Sequence, residues 1–301
     1  MISKFLDPKN DIAFKRIFGT DKNKDILIHF LNDILEKQDN PIEDVTFLKT
    51  VQEPEIASLR VSIVDVLCTD HEGNRFIIEM QVAHERGFDK RALYYASKAY
   101  IGQREKGTAY KDLKEVIFLG ITNFTPFPEK ASWCSRFGIK DLETNTHDIK
   151  DIQLVFLQLP KFTKGKEDIE KMTMKEKWAY FFRYAWNTHK EELDKLTSDE
   201  AVLKRAYEEL DRFFWSENEL YNYDSADMKA WSDLAVEEAA YDRGLNKGLS
   251  EGLNKGLSEG RKEGALQKQL EIARNMLATG IDIETVTKVT GLETEMIIQK
   301  K

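Results

Sequence analysis

One acidic side chain and an acid-x-amide triplet stand on either side of a short turn. Asp65 lies in the apolar run 62–68, Glu79 and Gln81 lie in the run 75–82, and Asp70-His71-Glu72-Gly73-Asn74 joins them. Both flanks are rich in Val, Ile, Leu and Phe, and Glu-Gly-Asn suits a turn, so the segment reads as a β-hairpin. Strand side chains alternate faces, which puts Asp65 with Ile63 and Leu67, and Glu79 with Ile77 and Gln81. The loop decides what Asp65 meets. A three-residue loop at 71–73 sets it opposite Glu79, and one at 72–74 sets it opposite Gln81. A two-residue loop at Glu72-Gly73 sets it opposite Met80, on the wrong face unless a bulge restores parity. An odd loop with Gly73 left-handed is the expectation. Two carboxylates about 5 Å apart on neighbouring strands repel, so such a pair inside an apolar hairpin calls for a cation between them. Oxygen donors without a Cys or His cluster point to Mg²⁺ or Mn²⁺ rather than zinc. The alternative is that both acids lie on a solvated face and meet only water.

The elements that must hold this hairpin are readable from period and punctuation. Residues 7–36 read as two helices, the first opened by Asp7-Pro8 as cap and first-turn proline and broken at Gly19. A strand is expected over 45–51, a helix over 88–105, and a buried central strand over 115–124, where Val-Ile-Phe-Leu-Gly-Ile is nearly continuous. Two more strands follow at 133–139 and 152–159. The order implies an α/β core over 1–163. From Gly165 the pattern turns helical, with the aromatic run Tyr180, Phe181, Phe182, Tyr184 and Trp186 placed in a core rather than on a base-stacking surface. A helical region is thus expected over 164–242.

Glycine then recurs at every fourth position, at 244, 248, 252, 256, 260 and 264, with Leu following the first four. A four-residue period nearly matches the helical turn, so Gly and Leu form stripes that drift by about 40° per step. The segment 243–264 is either a semi-flexible linker or a helix through which the chain forms a homo-oligomer. Residues 265–301 read as short helices joined at Gly280 and Gly291, a helix-turn-helix-like unit or a dimer clip. Few basic residues fall in its middle helix.

The chain has 301 residues, 33% of them charged, and a net charge of −8, which argues against a protein coated in nucleic acid. The acidic excess is concentrated in 164–240; the first 130 residues are close to neutral, so a local phosphate-binding cleft there is not excluded. No run approaches a membrane span and the first residues carry no signal core, so no membrane association is expected. The two cysteines, Cys68 and Cys134, read as buried thiols of a reduced, cytoplasmic protein.

Several of these features occur together in a known family. The opening Asp7-Pro8-Lys9-Asn10-Asp11-Ile12-Ala13-Phe14-Lys15-Arg16-Ile17-Phe18-Gly19 matches a D-x-x-F-K-x-x-F-G signature, and Asp65, Glu79-Met80-Gln81, Arg91-Ala92-Leu93-Tyr94-Tyr95 and the glycine-spaced tail follow in order. The chain resembles the Rpn-type recombination-promoting nucleases and transposases of the PD-(D/E)XK nuclease superfamily. The resemblance implies a restriction-endonuclease-like α/β fold with an all-helical C-terminal region, and a metal-dependent DNA endonuclease. It implies Asp65, Glu79 and Asp11 as ligands of Mg²⁺ or Mn²⁺. Gln81 stands where the superfamily most often has Lys; it orients water but supplies no cation. Lys15, Arg16 and Arg91 are unranked candidates for the phosphate, and Arg91 and Tyr95 lie on the helix behind the site. Asp11 as a first-turn acid, Arg91 as a surface charge and Tyr95 as core are the plainer alternatives. A catalytically silent nuclease fold serving as a DNA- or protein-binding assembly module is the alternative for the whole chain.

Overall fold

The computed structural model describes residues 3–52, 62–103 and 109–298. The ends of two expected helices, 104–105 and Gln299, lie outside the described residues. A six-stranded mixed sheet organises the first compact unit, Met1–Leu234. Helices α1 (Asp11–Phe18) and α2 (Lys24–Leu35) precede strand β1 (Val45–Phe47); short β2 (Val51–Gln52) and β3 (Ser62–Ile63) pair separately. Then come β4 (Val66–Asp70), β5 (Arg75–Gln81), α3 (Phe88–Ile101), β6 (Val116–Thr122), β7 (Cys134–Gly138) and β8 (Ile152–Gln158). The sheet order is β1-β4-β5-β6-β8-β7, with β5, β6 and β8 parallel and the outer strands antiparallel. Every residue of β6 is buried, as its unbroken apolar sequence requires of a central parallel strand.

Helix α3 covers one face of the sheet, packing Phe88, Ala92, Ala96 and Ala99 on Ile77, Phe118 and Phe156. On the other face Phe14, Phe18 and Phe30 of the first two helices form a core with Phe76, Ile78 and Ile121. That core runs across residue 163. Trp178, Phe181 and Phe182 of α4 (Met174–Tyr184) are fully buried in it, and Trp178 donates to Asp33 at 2.7 Å. The short α5 (Lys190–Leu196) and α6 (Ala201–Leu210) add Leu196, Leu203 and Leu210. The aromatic run around Tyr180 is core. Trp186, at its end, remains exposed.

Two local expectations need correction. The run 45–51 is not one strand: regular pairing with β4 ends at Phe47, with one further bond from the Leu48 N–H to the Leu67 carbonyl at 2.8 Å, and the chain then turns to pair with β3. Helix α1 starts at Asp11, not after Asp7. The Asp7 carboxylate takes the Lys9 N–H in a tight turn, and Asn10 is the cap, accepting from the Ile12 N–H at 3.0 Å. Asn10 also donates to the Tyr223 carbonyl, so the cap is pinned from outside the helix.

Helix α7 (Glu217–Ala278) follows and includes the whole glycine repeat. The second compact unit, Ala235–Lys301, holds the remainder of that helix with α8 (Ile283–Thr290) and α9 (Thr294–Ile298). Its small core is Ala273, Val286, Leu292 and Ile297. Asp282 caps α8 and left-handed Gly291 ends it. Among the described residues no helix is long and apolar enough to cross a membrane.

Gly120 sits at the centre of β6, opposite Glu79 on β5. A Cβ there would lie 3.1 Å from the Phe118 and Phe88 rings and 3.2 Å from Phe156. Gly120→Val should therefore lower stability by about 1–3 kcal/mol, read from the urea midpoint, because ring edges from two strands and α3 must move.

Candidate active site

The hairpin loop is His71-Glu72-Gly73. Asp70 organises it, accepting from the N–H groups of Glu72 and Asn74 through Oδ1, and Gly73 is left-handed at φ +88°. The register pairs Val66 with Ile78 and Thr69 with Arg75, which carries Asp65 to the level of Glu79. At that level the chain bends and the regular ladder stops. Side chains complete it. Glu79 Oε2 accepts the Asp65 N–H at 3.1 Å, and Asp65 Oδ2 accepts the Met80 N–H at 2.8 Å. Each acid thus satisfies a backbone donor that the diverging strands leave open.

Burial makes this pair costly when ionised. Glu79 is only 7% exposed. Burial, and then the neighbouring Asp65 charge, push the Glu79 carboxyl up to about 8, against the pull of the Asp65 N–H, Arg91 and Lys15. Asp65 is raised as well, first by burial and further by Asp11, with the Met80 N–H and Lys15 opposing.

Two cations approach from opposite elements. From α1, Lys15 Nζ lies 2.6 Å from Asp11 Oδ1 and 3.7 Å from Asp65 Oδ1. Burial pulls its ammonium down, but Asp11 and Asp65 outweigh that and raise it. From α3, Arg91 donates to Gln81 Oε1 at 2.7 Å, lies 3.6 Å from Glu79 Oε1 and also pairs with Glu85. Its guanidinium sits over the Phe88 and Tyr95 rings. Burial raises the Tyr95 hydroxyl and Arg91 opposes it.

Asp65, Glu79, Asp11, Gln81, Lys15, Arg91 and Tyr95 are therefore brought together. Arg16 is not. Its guanidinium bonds Glu209 and Glu219 and lies 4.4 Å from the centroid of the Trp215 ring. Sequence reasoning missed Glu85, which sits in an irregular loop where no period marks it. It also missed the two backbone N–H groups, which no residue type announces.

The donors around the pair are carboxylate oxygens and one amide, a set suited to a hard divalent cation. Among the described residues no three acidic, imidazole or thiol groups are already arranged around one point. The geometry explains this: one oxygen of each buried acid is held by a backbone N–H, and Lys15 lies between Asp11 and Asp65. The fit lies in charge. Two raised carboxyls, with Lys15 3.7 Å from Asp65 Oδ1, Arg91 3.6 Å from Glu79 Oε1 and the Asp11 carboxyl beside Asp65, form a site that gains from more positive charge.

The family described as PD-(D/E)XK nuclease family transposase matches residues 8–239. The chain belongs to that family. The Rpn/YhgA-like nuclease family C-terminal HTH domain matches residues 266–299, the span of the small core built on Ala273 and Val286. Neither the curated proteins nor the solved structures give a match. In this transposase-family chain Gln81 stands two residues after Glu79, and Lys15 from α1 and Arg91 from α3 are the cations beside the acid pair.

A raised carboxyl favours the native state only while protonated. Without divalent cations, stability should be highest near pH 4.5 and fall as pH rises towards 8, where Glu79 ionises. Glu79→Gln should flatten that slope and raise stability at pH 8 by about 1–3 kcal/mol, read by thermal melts across pH.

Proposed function

We propose that this chain is a metal-dependent DNA endonuclease hydrolysing phosphodiester bonds, of the recombination-promoting, transposase-like type. The observation that carries the reading is the buried Asp65–Glu79 pair, flanked by Lys15 and Arg91. Asp65 and Glu79, joined by Asp11, would hold Mg²⁺ or Mn²⁺. When bound, that ion supplies a Lewis acid for the scissile phosphate and lowers the pKa of an attacking water. Lys15 stays charged through the working pH range and neutralises a non-bridging phosphate oxygen. Arg91 fixes the Gln81 amide, whose Oε1 keeps a lone pair for the water. The Gln81 amide also donates to the Ala83 carbonyl, so it cannot swing away freely. Two unpaired cysteines agree with work in the cytoplasm, where DNA is the partner.

The decisive experiment is nicking of supercoiled plasmid with Mg²⁺ or Mn²⁺. Asp65→Ala and Glu79→Ala should each lower the rate at least about 100-fold while keeping a cooperative melt. Gln81→Lys should remain active. Undiminished nicking by purified Asp65→Ala protein contradicts the mechanism. No nicking by the wild type under any divalent ion favours a silent binding or assembly module.

The glycine repeat supplies self-association. It is helical, with Leu245, Leu249, Leu253 and Leu257 exposed. Six glycines cost about 1 kcal/mol each relative to alanine, so the helix gains from a packing partner. Charge order selects the antiparallel one. Pairing two copies about Leu253 sets Lys247 opposite Glu259 and Glu251 opposite Lys255, whereas parallel pairing in register sets like on like. Light scattering should give a dimer that Leu249→Asp with Leu253→Asp converts to a monomer. A monomeric wild type makes the repeat a linker.

A further inference from the structure

A cleft of about 320 Å³ opens beside the carboxylate pair, with Asp11 and Gln81 in its wall. The start of α7 contributes Asp227, Trp231 and Asp233, and Asn123 follows the end of β6. Trp231 is 68% exposed, whereas Trp178 of the same unit is fully buried. A large flat ring offered to solvent at the edge of a cleft is a stacking surface without its ligand's face.

Charge decides what that ligand is. Asp7, Asp11, Asp227 and Asp233 all border the cleft, against one Lys9. Lys9 is already tied to Asp7 at 2.8 Å and to the Phe182 carbonyl at 3.1 Å. A phosphate entering here meets net negative charge and, among the described lining residues, no untied cation. A neutral flat ring carrying N–H donors meets an exposed indole and carboxylate acceptors. Asp11, in the cleft wall, is 2.6 Å from Lys15 Nζ, so a strand whose phosphate reaches Lys15 passes along the cleft's edge.

We infer that this cleft takes one unstacked nucleobase carrying an exocyclic amino group, with Trp231 as its stacking platform and Asp227 or Asp233 as acceptor. The inference rests on the nuclease reading for its DNA and names the substrate class: a single strand, or a duplex locally opened. In an intact duplex both faces of each base are stacked and its edge is paired, so no base can enter without being extruded.

The test separates binding from hydrolysis by omitting divalent cations. Fluorescence anisotropy on the full chain compares labelled ten-nucleotide strands of dC and of dT with a duplex of equal length. The single strand of dC should bind about tenfold tighter than the duplex and several-fold tighter than dT, which has a carbonyl where dC has its amino group. Trp231→Ala should remove about tenfold of the single-strand affinity and leave the duplex unchanged, and Trp231→Phe should restore most of it. Single-strand affinity unchanged in Trp231→Ala overturns the base cleft, as does a duplex bound as tightly as the strand. Equal binding of dC and dT overturns the acceptor role of the aspartates. Plasmid nicking that fails while these differences hold contradicts hydrolysis alone; nicking that succeeds without them contradicts the cleft alone.

Discussion

Where β4 and β5 part, two carboxylates finish the ladder that backbone groups no longer complete, and the rest of the site follows from that substitution. Asp65 and Glu79 are held in place by Met80 and Asp65 N–H groups, so neither can turn to water without leaving a buried donor unpaired. They are also like charges in a poorly solvated position. The protein meets this conflict in three ways at once: it raises both carboxyls, it brings Lys15 to one side, and it brings Arg91 to the other. Buried acids with raised carboxyls and only partial compensation are characteristic of sites that receive charge.

The surrounding fold sets this balance. Parallel pairing of β5 with β6 places Gly120 beside Glu79, and the missing side chain lets Phe88 bring the start of α3 close to the sheet. Arg91 lies three residues further along that helix, so its reach to Gln81 and Glu79 depends on this close approach. On the opposite face α1 is fixed by its Asn10 cap and by the shared core with α4, which delivers Lys15 to Asp65. Helix α4, after residue 163, therefore acts on the site through packing, whereas α7 lines the neighbouring cleft.

Much of this was legible in the sequence, and the failures have identifiable causes. Alternating runs and Glu72-Gly73-Asn74 gave the hairpin, and the register that sets Thr69 opposite Arg75 selects the loop 71–73 among the three compatible with it. The bend at Asp65 was not legible, because it arises from side chains taking over a rung of the ladder. Lys15 and Arg16 could not be ranked, since neighbours on a helix point about 100° apart and only the packed structure says which direction is the site. Arg16 faces Glu209 and Glu219, close to 200 positions away in the chain. Trp231 went unnoticed for a related reason: it stands in an acidic helical stretch where nothing in the local pattern shows the cleft it borders.

The most direct measurement of the central claim is proton release on Mn²⁺ binding. Calorimetric titration at pH 7 in buffers of different ionisation enthalpy counts protons displaced by the ion. With Glu79 raised to about 8, binding should release about one proton per ion at pH 7, and release should vanish in Glu79→Gln and decline towards zero as the pH is raised past 9. Mn²⁺ binding with no dependence on buffer at pH 7, or with the same proton count in Glu79→Gln, contradicts the account.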